Sequence, residues 1–219
     1  MSDPPRGVVI AIDGPAGAGK STLARRLAVE LALPYVNTGL MYRALTARAL
    51  GDALDLDDGP GLARAAAGIE FDLDLTASPP ELRIDGRPPA DELVRPEVEA
   101  NVSAVSRHPD VRELMRIAQR ELGARGAVME GRDIGSVVFP DAEVKLFLLA
   151  APGERASRRS QERDRTLDVE RHLTERDSLD SRVNPFLPAA GAVTIDTTGK
   201  AADDTFAEAL AIVRERVGR

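Results

Sequence analysis

Apolar residues along the chain follow two patterns, short continuous runs and stripes that recur every three or four positions. The runs are typical of strands buried on both faces of a parallel sheet. They lie at residues 8–12, 127–130 and 144–149, with shorter ones at 35–37 and 192–196. The stripes predict helices at residues 20–32, 38–50, 98–105, 111–122 and 206–217. We therefore expect an α/β fold with a central parallel sheet flanked by helices, and Thr38 is the expected N-cap of the second helix.

Residues 51–96 follow a different pattern. Residues 69–75 alternate strictly between apolar and acidic side chains, and the same period of two returns at 82–84. This period predicts half-buried antiparallel strands with one face in water. We expect a small antiparallel sheet at about 62–98, inserted into a single domain that spans residues 1–219.

The first strand runs directly into a glycine-rich loop that opens a helix. The loop and the first helical residues are Gly14, Pro15, Ala16, Gly17, Ala18, Gly19, Lys20, Ser21 and Thr22. Glycines let consecutive N–H groups converge on phosphate oxygens, and the helix N-terminus adds positive charge beside Lys20. The hydroxyl of Ser21 is a candidate ligand for the Mg²⁺ that bridges nucleotide phosphates. The pattern predicts a nucleoside triphosphate site; a chance glycine-rich turn between a strand and a helix is the alternative.

Composition limits the compartment and the partners. The chain has 219 residues, a formal net charge of −7 and no cysteine. The lack of cysteine excludes disulfides and thiolate metal sites, and the negative charge argues against binding to a nucleic acid polymer. No apolar run approaches the roughly 20 residues of a membrane span, and residues 1–7 lack the features of a signal peptide. We therefore expect a cytoplasmic monomer without a membrane partner.

Residues 152–188 form the most charged part of the chain. The simpler interpretation is a pair of solvated helices with ion pairs on their surface. Arg155, Arg158 and Arg159, however, are spaced to form one cationic helix face. A mobile helix pair with arginines is what a phosphoryl-transfer enzyme uses to close over its reactants and exclude water.

Motifs that the chain lacks narrow the class of nucleotide-binding protein. A GTPase would carry an Asn-Lys-x-Asp motif, and this chain has no Asn-Lys pair. The strand at 144–149 ends without the acidic residue that an ATPase motor needs. These features favour a small-molecule kinase. Kinases of AMP, dTMP or a metabolite such as shikimate are alternatives, as is a nucleotide-binding switch without turnover.

Four segments, in this order along the chain, resemble bacterial cytidylate kinases. They read IDGPAGAGKST (12–22), NTGLMYR (37–43), EGRDIGSVVFP (130–140) and ERDSLD (175–180). The resemblance covers nearly the whole chain, including the inserted small sheet. It implies a P-loop kinase fold in which residues 38–123 bind the monophosphate and residues 152–188 form a helical lid and the following helix. The implied reaction moves the γ-phosphoryl group of ATP, with Mg²⁺, to CMP or dCMP.

The resemblance also assigns roles residue by residue. Residues 14–22 would bind the ATP phosphates, and the implied catalytic residues are Lys20, Arg132, Arg155 and Arg159. The family positions that bind the phosphate of CMP correspond here to Thr38, Arg43 and Arg132. Ser103, Arg112 and Asp133 match positions that recognise cytosine, and Arg176 and Asp180 match positions that contact the sugar. Arg182 lies one position before the place where the family has its last phosphate-binding arginine, and it is the candidate for that role.

The chemistry of Asp133 agrees with base recognition. A carboxylate accepts a hydrogen bond from the 4-amino group of cytosine, whereas the 4-keto oxygen of uracil faces it with a second acceptor. Unpaired polar groups in a buried site discriminate strongly between ligands, so CMP should be preferred to UMP. The alternative is that Arg132 and Asp133 form a local ion pair at the end of a strand. The carboxyl end of a strand, however, is where α/β proteins bind ligands.

Overall fold

The computed structural model describes residues 7–161 and 187–218. The strands in this part of the chain are β1 (Val9–Asp13), β2 (Tyr35–Asn37), β3 (Phe71–Asp74), β4 (Glu81–Ile84), β5 (Ala127–Gly131), β6 (Val144–Leu149) and β7 (Val193–Asp196). They form one sheet in the order β3-β4-β2-β5-β1-β6-β7.

Helices lie on both faces of this sheet. They are α1 (Lys20–Leu31), α2 (Thr38–Gly51), α3 (Gly59–Ala67), α4 (Pro96–Ser106), α5 (Pro109–Gly123), α6 (Pro152–Gln161) and α7 (Ala202–Arg216). A short 3₁₀ helix spans Asp91–Val94, and one turn of π-helix spans Ile134–Val138. No described helix is long and apolar enough to cross a membrane.

The central strands run parallel, as their continuous apolar runs predict. β1 pairs with β5 on one side and with β6 on the other, so that Ile10 lies opposite both Val128 and Val144. All five residues of β1 are buried. Consecutive parallel strands need crossovers, and the helices that supply them cover both faces. The mostly parallel sheet flanked by helices confirms the predicted fold class.

Two apolar clusters hold the helices on the sheet. On one face, α1 and α7 pack on side chains such as Ile12, Leu148 and Ile195. On the other face, α2, α3 and α5 pack on side chains such as Met129 and Val36. β1 contributes side chains to both clusters and lies in the interior of the sheet. The loop that follows it therefore starts from the carboxyl end of a firmly held strand.

The small inserted sheet has antiparallel strands, but it is part of the main sheet. β3 and β4 pair antiparallel, as the alternation of apolar and polar residues predicts. β4 continues onto β2 through the parallel pair Tyr35 and Glu81, and the Tyr35 N–H donates to the Pro80 carbonyl at 2.8 Å. The edge of β2 would otherwise present unpaired backbone groups, and the insertion covers it.

The start of α2 differs from the prediction. Asn37 occupies the N-cap position, and Thr38 is the first residue of the helix. The hydroxyl of Thr38 donates instead to the carbonyl of Glu130 at 2.7 Å. Thr38 therefore links α2 to the end of β5 and does not cap its own helix.

Candidate active site

The glycine-rich loop leaves the carboxyl end of β1 and requires its glycines. Gly17 has a φ of +76°, and a Cβ there would lie 2.8 Å from the Arg155 carbonyl oxygen. A Cβ on Gly14 would lie 2.3 Å from the carbonyl oxygen of Leu148. Lys20 begins α1, and its Nζ donates to the Pro15 carbonyl at 2.9 Å across the loop. Backbone N–H groups, a helix N-terminus and an ammonium group thus converge, which is the chemistry of a phosphate site.

A buried carboxylate ties this loop to the segment after β5. Asp13, the last residue of β1, accepts hydrogen bonds from the N–H groups of Ile134 and Gly135, both at 2.8 Å. Its exposed fraction is 5%. Burial raises the pKa of Asp13 to about 6, although the two backbone N–H groups and the nearby Lys20 oppose the shift. Sequence reasoning missed this role; the only signal was an acidic residue at the end of an apolar strand.

The predicted acceptor-phosphate residues lie around this junction. The Nη1 atom of Arg132 donates to the Gly14 carbonyl at 2.9 Å. Thr38 contacts the end of β5, as described above. Arg43, further along α2, forms an ion pair with Glu99 of α4, with Nη2 and Oε1 separated by 3.1 Å. A Cβ on Gly39 would lie 3.4 Å from Nη1 of Arg43, so this guanidinium group lies over the first turn of α2.

The predicted base-recognition residues are partly brought together. The Nη2 atom of Arg112, on α5, donates to Oδ2 of Asp133 at 2.8 Å. Arg116, one turn later, donates to the same oxygen at 3.1 Å, a contact that sequence reasoning missed. Its spacing of four residues from Arg112 was the available signal. Ser103 is half-buried on α4, which packs against α5.

Tyr42 lies beside the arginine–aspartate cluster formed by Arg112, Arg116 and Asp133. Burial raises the pKa of the Tyr42 hydroxyl to about 12; Arg112 and Arg116 act against the shift, and Asp133 adds to it. Gln119 of α5, which is 1% exposed, also acts against the shift. The hydroxyl therefore stays neutral at ordinary pH and can both donate and accept a hydrogen bond.

The first turns of α6 lie against the glycine-rich loop. The Nη1 atom of Arg155 donates to the Ala16 carbonyl at 3.2 Å. Arg158 donates to the Thr197 hydroxyl at 2.9 Å, and this hydroxyl contacts the Ala18 carbonyl at 3.2 Å. A cavity of about 380 Å³ lies here, lined in part by Gly19, Thr22, Arg158, Thr197 and Lys200. Four other predicted site groups lie outside the described part of the chain: the Arg159 side chain, Arg176, Asp180 and Arg182.

The strand β5, beside β1, carries a buried acidic residue near its carboxyl end. Residues 144–149, whose lack of a terminal acidic residue argues against an ATPase motor, form β6. β5 is the other neighbour of β1, and its Glu130 is 4% exposed. The Tyr35 hydroxyl donates to Oε1 of Glu130 at 2.6 Å. Burial, with Glu130 as the second cause, raises the pKa of that hydroxyl above its ordinary range.

A family model for cytidylate kinases matches residues 10–215. The chain belongs to the cytidylate kinase family. The cytidylate kinase of Pelotomaculum thermopropionicum is 48% identical over 198 residues, which cover 85% of this chain and 87% of the relative. That of Rhodococcus jostii is 40% identical over 221 residues, or 96% of each chain. That of Anoxybacillus flavithermus is 43% identical over 219 residues, or 96% of this chain and 97% of the relative.

Family membership confirms the resemblance inferred from the four sequence segments. It also confirms that the protein is an enzyme of the kinase class. The matched region includes the glycine-rich loop, the insertion and α5, so the family covers both the loop and the arginine–aspartate cluster.

Proposed function

We propose that the protein transfers the γ-phosphoryl group of ATP to CMP or dCMP, giving ADP and CDP or dCDP. One contact supports this reaction above all: Nη1 of Arg132 lies 2.9 Å from the Gly14 carbonyl oxygen. The donor loop therefore touches the residue proposed to hold the acceptor phosphate. The next residue, Asp133, is paired with Arg112 of the proposed base site. In this proposal the donor and acceptor groups would meet at the adjacent ends of β1 and β5.

On the donor side, the loop N–H groups would bind the ATP phosphates, and Lys20 would offset charge during transfer. Ser21, in the first turn of α1, is exposed and available to hold Mg²⁺. No cluster of three carboxylate or imidazole ligands exists among the described residues, which suits an ion held mainly by nucleotide phosphates and water. When bound, Mg²⁺ would neutralise phosphate charge. Arg155 and Arg159 of α6 are proposed to close over the phosphates.

On the acceptor side, arginines suit the CMP phosphate because their planar forks bind two oxygens at once. Arg43 and Arg132 would act in this way, with the Thr38 hydroxyl beside them. Ser103, Arg112 and Asp133 would bind the cytosine ring. Arg176 and Asp180 are proposed for the sugar, and Arg182 for the phosphate.

Catalysis in this scheme comes from positioning and charge stabilisation. The two nucleotides would meet at the glycine-rich loop, so that an acceptor oxygen can attack the γ-phosphorus in line while ADP leaves. Arg132 and Lys20 would stabilise negative charge on the transferring group, and no covalent intermediate is needed. The side chains of α6 would exclude water and so limit hydrolysis of ATP.

A panel assay tests the proposal directly. ADP release from Mg·ATP would be measured with CMP, dCMP, UMP, AMP, dTMP and shikimate as acceptors. We expect CMP and dCMP to give the highest kcat/KM. Faster turnover with AMP, dTMP or shikimate would identify another kinase. Binding of ATP without any acceptor-dependent ADP release would identify a switch protein.

We also propose that the enzyme acts as a monomer in the cytoplasm, with no membrane or nucleic acid partner. Light scattering after size-exclusion chromatography should give a mass near 23.4 kDa. A dimer mass would contradict the monomer.

A further inference from the structure

Asp133 is held by two arginines, of which only one has a role in the proposed function. Arg112 and Arg116 lie one helical turn apart on α5, and their Nη2 atoms lie 2.8 and 3.1 Å from Oδ2 of Asp133. The side-chain exposed fractions are 13% for Arg112, 21% for Arg116 and 12% for Asp133. The cluster is therefore largely buried and carries two positive charges and one negative charge.

Binding of a base would affect the bonds of the two arginines to Asp133 differently. Arg112 is the one proposed to donate to the acceptor atoms of the cytosine ring, and a guanidinium group that turns toward the ring weakens its bond to Asp133. Arg116 lies a full turn further along α5, and its bond to Oδ2 does not depend on that exchange. Arg116 can thus keep the carboxylate in place while Arg112 engages the ring.

Two buried polar atoms beside this cluster suit a site that a ligand or a water molecule completes. Nε of Arg116 and Oε1 of Gln119 are buried, and neither has a hydrogen-bond partner among the described residues. Buried polar atoms in folded proteins almost always have partners, so exceptions often mark a place that a ligand or water completes. The buried Tyr42 hydroxyl interacts electrostatically with Arg112, Arg116 and Asp133.

We propose that Arg116 is a positioning residue that holds Asp133 as the acceptor for the cytosine 4-amino group, and so helps the enzyme to prefer CMP to UMP. This inference rests on the proposed function. By binding Oδ2, the guanidinium group leaves Oδ1 to face the amino group. A carboxylate held in this orientation is an acceptor only, which a 4-keto group cannot satisfy.

The test compares Arg116→Gln and Arg116→Lys with the wild-type enzyme. Arg125→Gln is the matched control, because Arg125 is an exposed arginine just after α5. Steady-state kinetics would be measured with CMP, dCMP and UMP at saturating Mg·ATP, and the melting temperature of each variant would be recorded. The selectivity of interest is the ratio of kcat/KM for CMP to that for UMP.

We expect Arg116→Gln to lower this ratio about tenfold, the size typical of one lost charge-assisted hydrogen bond. The change should lie in the KM for CMP, with kcat within about threefold of wild type, because Arg116 does not touch the transferring group. Arg116→Lys should recover part of the ratio, and Arg125→Gln should match wild type. The ratio of CMP to dCMP should stay unchanged, since Arg116 acts through the base.

Other outcomes would overturn the inference. An unchanged CMP to UMP ratio in Arg116→Gln, or an equal loss with both nucleotides, would show that Arg116 only stabilises the fold. A wild-type enzyme that uses CMP and UMP equally well would overturn the inference alone, whereas one that turns over neither CMP nor dCMP would overturn the proposed function as well. Both results are visible before any variant is made, so the two failures are distinguishable.

Discussion

Replacing Asp133 by asparagine should affect both stability and selectivity, because the carboxylate balances two buried guanidinium groups. Asp133→Asn keeps the shape of the side chain and removes the charge. Arg112 and Arg116 would then face each other without the anion that both contact at Oδ2. Substitutions that remove one partner of a buried ion pair leave an uncompensated charge, which is the costly part of the change.

The expected cost follows from burial. Loss of one partner of a fully buried pair costs about 3–5 kcal/mol. These side chains are 12 to 21% exposed, and asparagine keeps a carbonyl acceptor that is worth about 1 kcal/mol as a neutral hydrogen bond. We therefore expect the free energy of unfolding to fall by about 2–3 kcal/mol. The kcat/KM ratio of CMP to UMP should also narrow, because an asparagine can offer uracil its amide N–H groups.

Urea denaturation at neutral pH would measure the stability change, with Asp141→Asn, an exposed aspartate, as the control. The double variant Asp133→Asn/Arg116→Gln makes the sharper test. It should be more stable than Asp133→Asn by about 1 kcal/mol, because one uncompensated guanidinium group is gone. A double variant that loses the sum of both single effects would refute the charge-balance explanation. A wild-type CMP to UMP ratio in Asp133→Asn would refute its role in base recognition.

Three further changes test the donor side of the site. Lys20→Met should lower kcat by at least about 100-fold while the fold survives, because it removes a charge aimed at the phosphates. The control Lys145→Met also removes an ammonium group bonded to a proline carbonyl, and it should retain turnover. Full activity of Lys20→Met would exclude the catalytic role of Lys20. Gly17→Ala should raise the KM for ATP, since the φ of Gly17 is +76° and a Cβ would lie 2.8 Å from a carbonyl oxygen of α6. The control Gly153→Ala should be neutral, because a Cβ there meets nothing within 4 Å. Wild-type kinetics in Gly17→Ala would contradict the close packing of the loop against α6. Burial raises the pKa of Asp13 from 3.8 to about 6, so its contribution to stability is complete below pH 3.8 and is lost as the pH rises through about 6. The free energy of unfolding between about pH 4 and 6 should therefore fall more steeply with pH in wild type than in Asp13→Asn. Equal slopes in urea titrations would show that Asp13 is not the titrating group.

Local patterns predicted the secondary structure and the donor loop. The apolar run of β1, the glycines after it and the start of α1 at Lys20 are properties of adjacent residues, and each is found in the structure. The strict alternation of residues 69–75 likewise predicted β3. What the alternation did not predict is that β4 would join β2, because strand pairing across 46 residues depends on which edge is open.

The candidate site was predicted only in part, and the missed residues share one property. The partners of Asp13 lie 121 and 122 residues away, and that of Arg116 lies 17 residues away on another element. Thr197 contacts Ala18 of the glycine-rich loop, from which it is separated by 179 positions in the sequence. Such contacts leave no periodic trace in the sequence, whereas motif residues such as Arg132 and Asp133 were found by family resemblance. Their roles stay predictions until the substitutions are measured.

The sequence alone therefore determined the elements and the donor chemistry, since both arise from the local properties of neighbouring residues. It also contained the motifs that place the chain in its family. Only the tertiary structure decided what surrounds the carboxylates at the ends of β1 and β5. Asp13 binds backbone N–H groups, and Asp133 balances two arginines. The physical reason is that the charge and burial of a carboxylate's surroundings depend on distant segments that meet only when the sheet has formed.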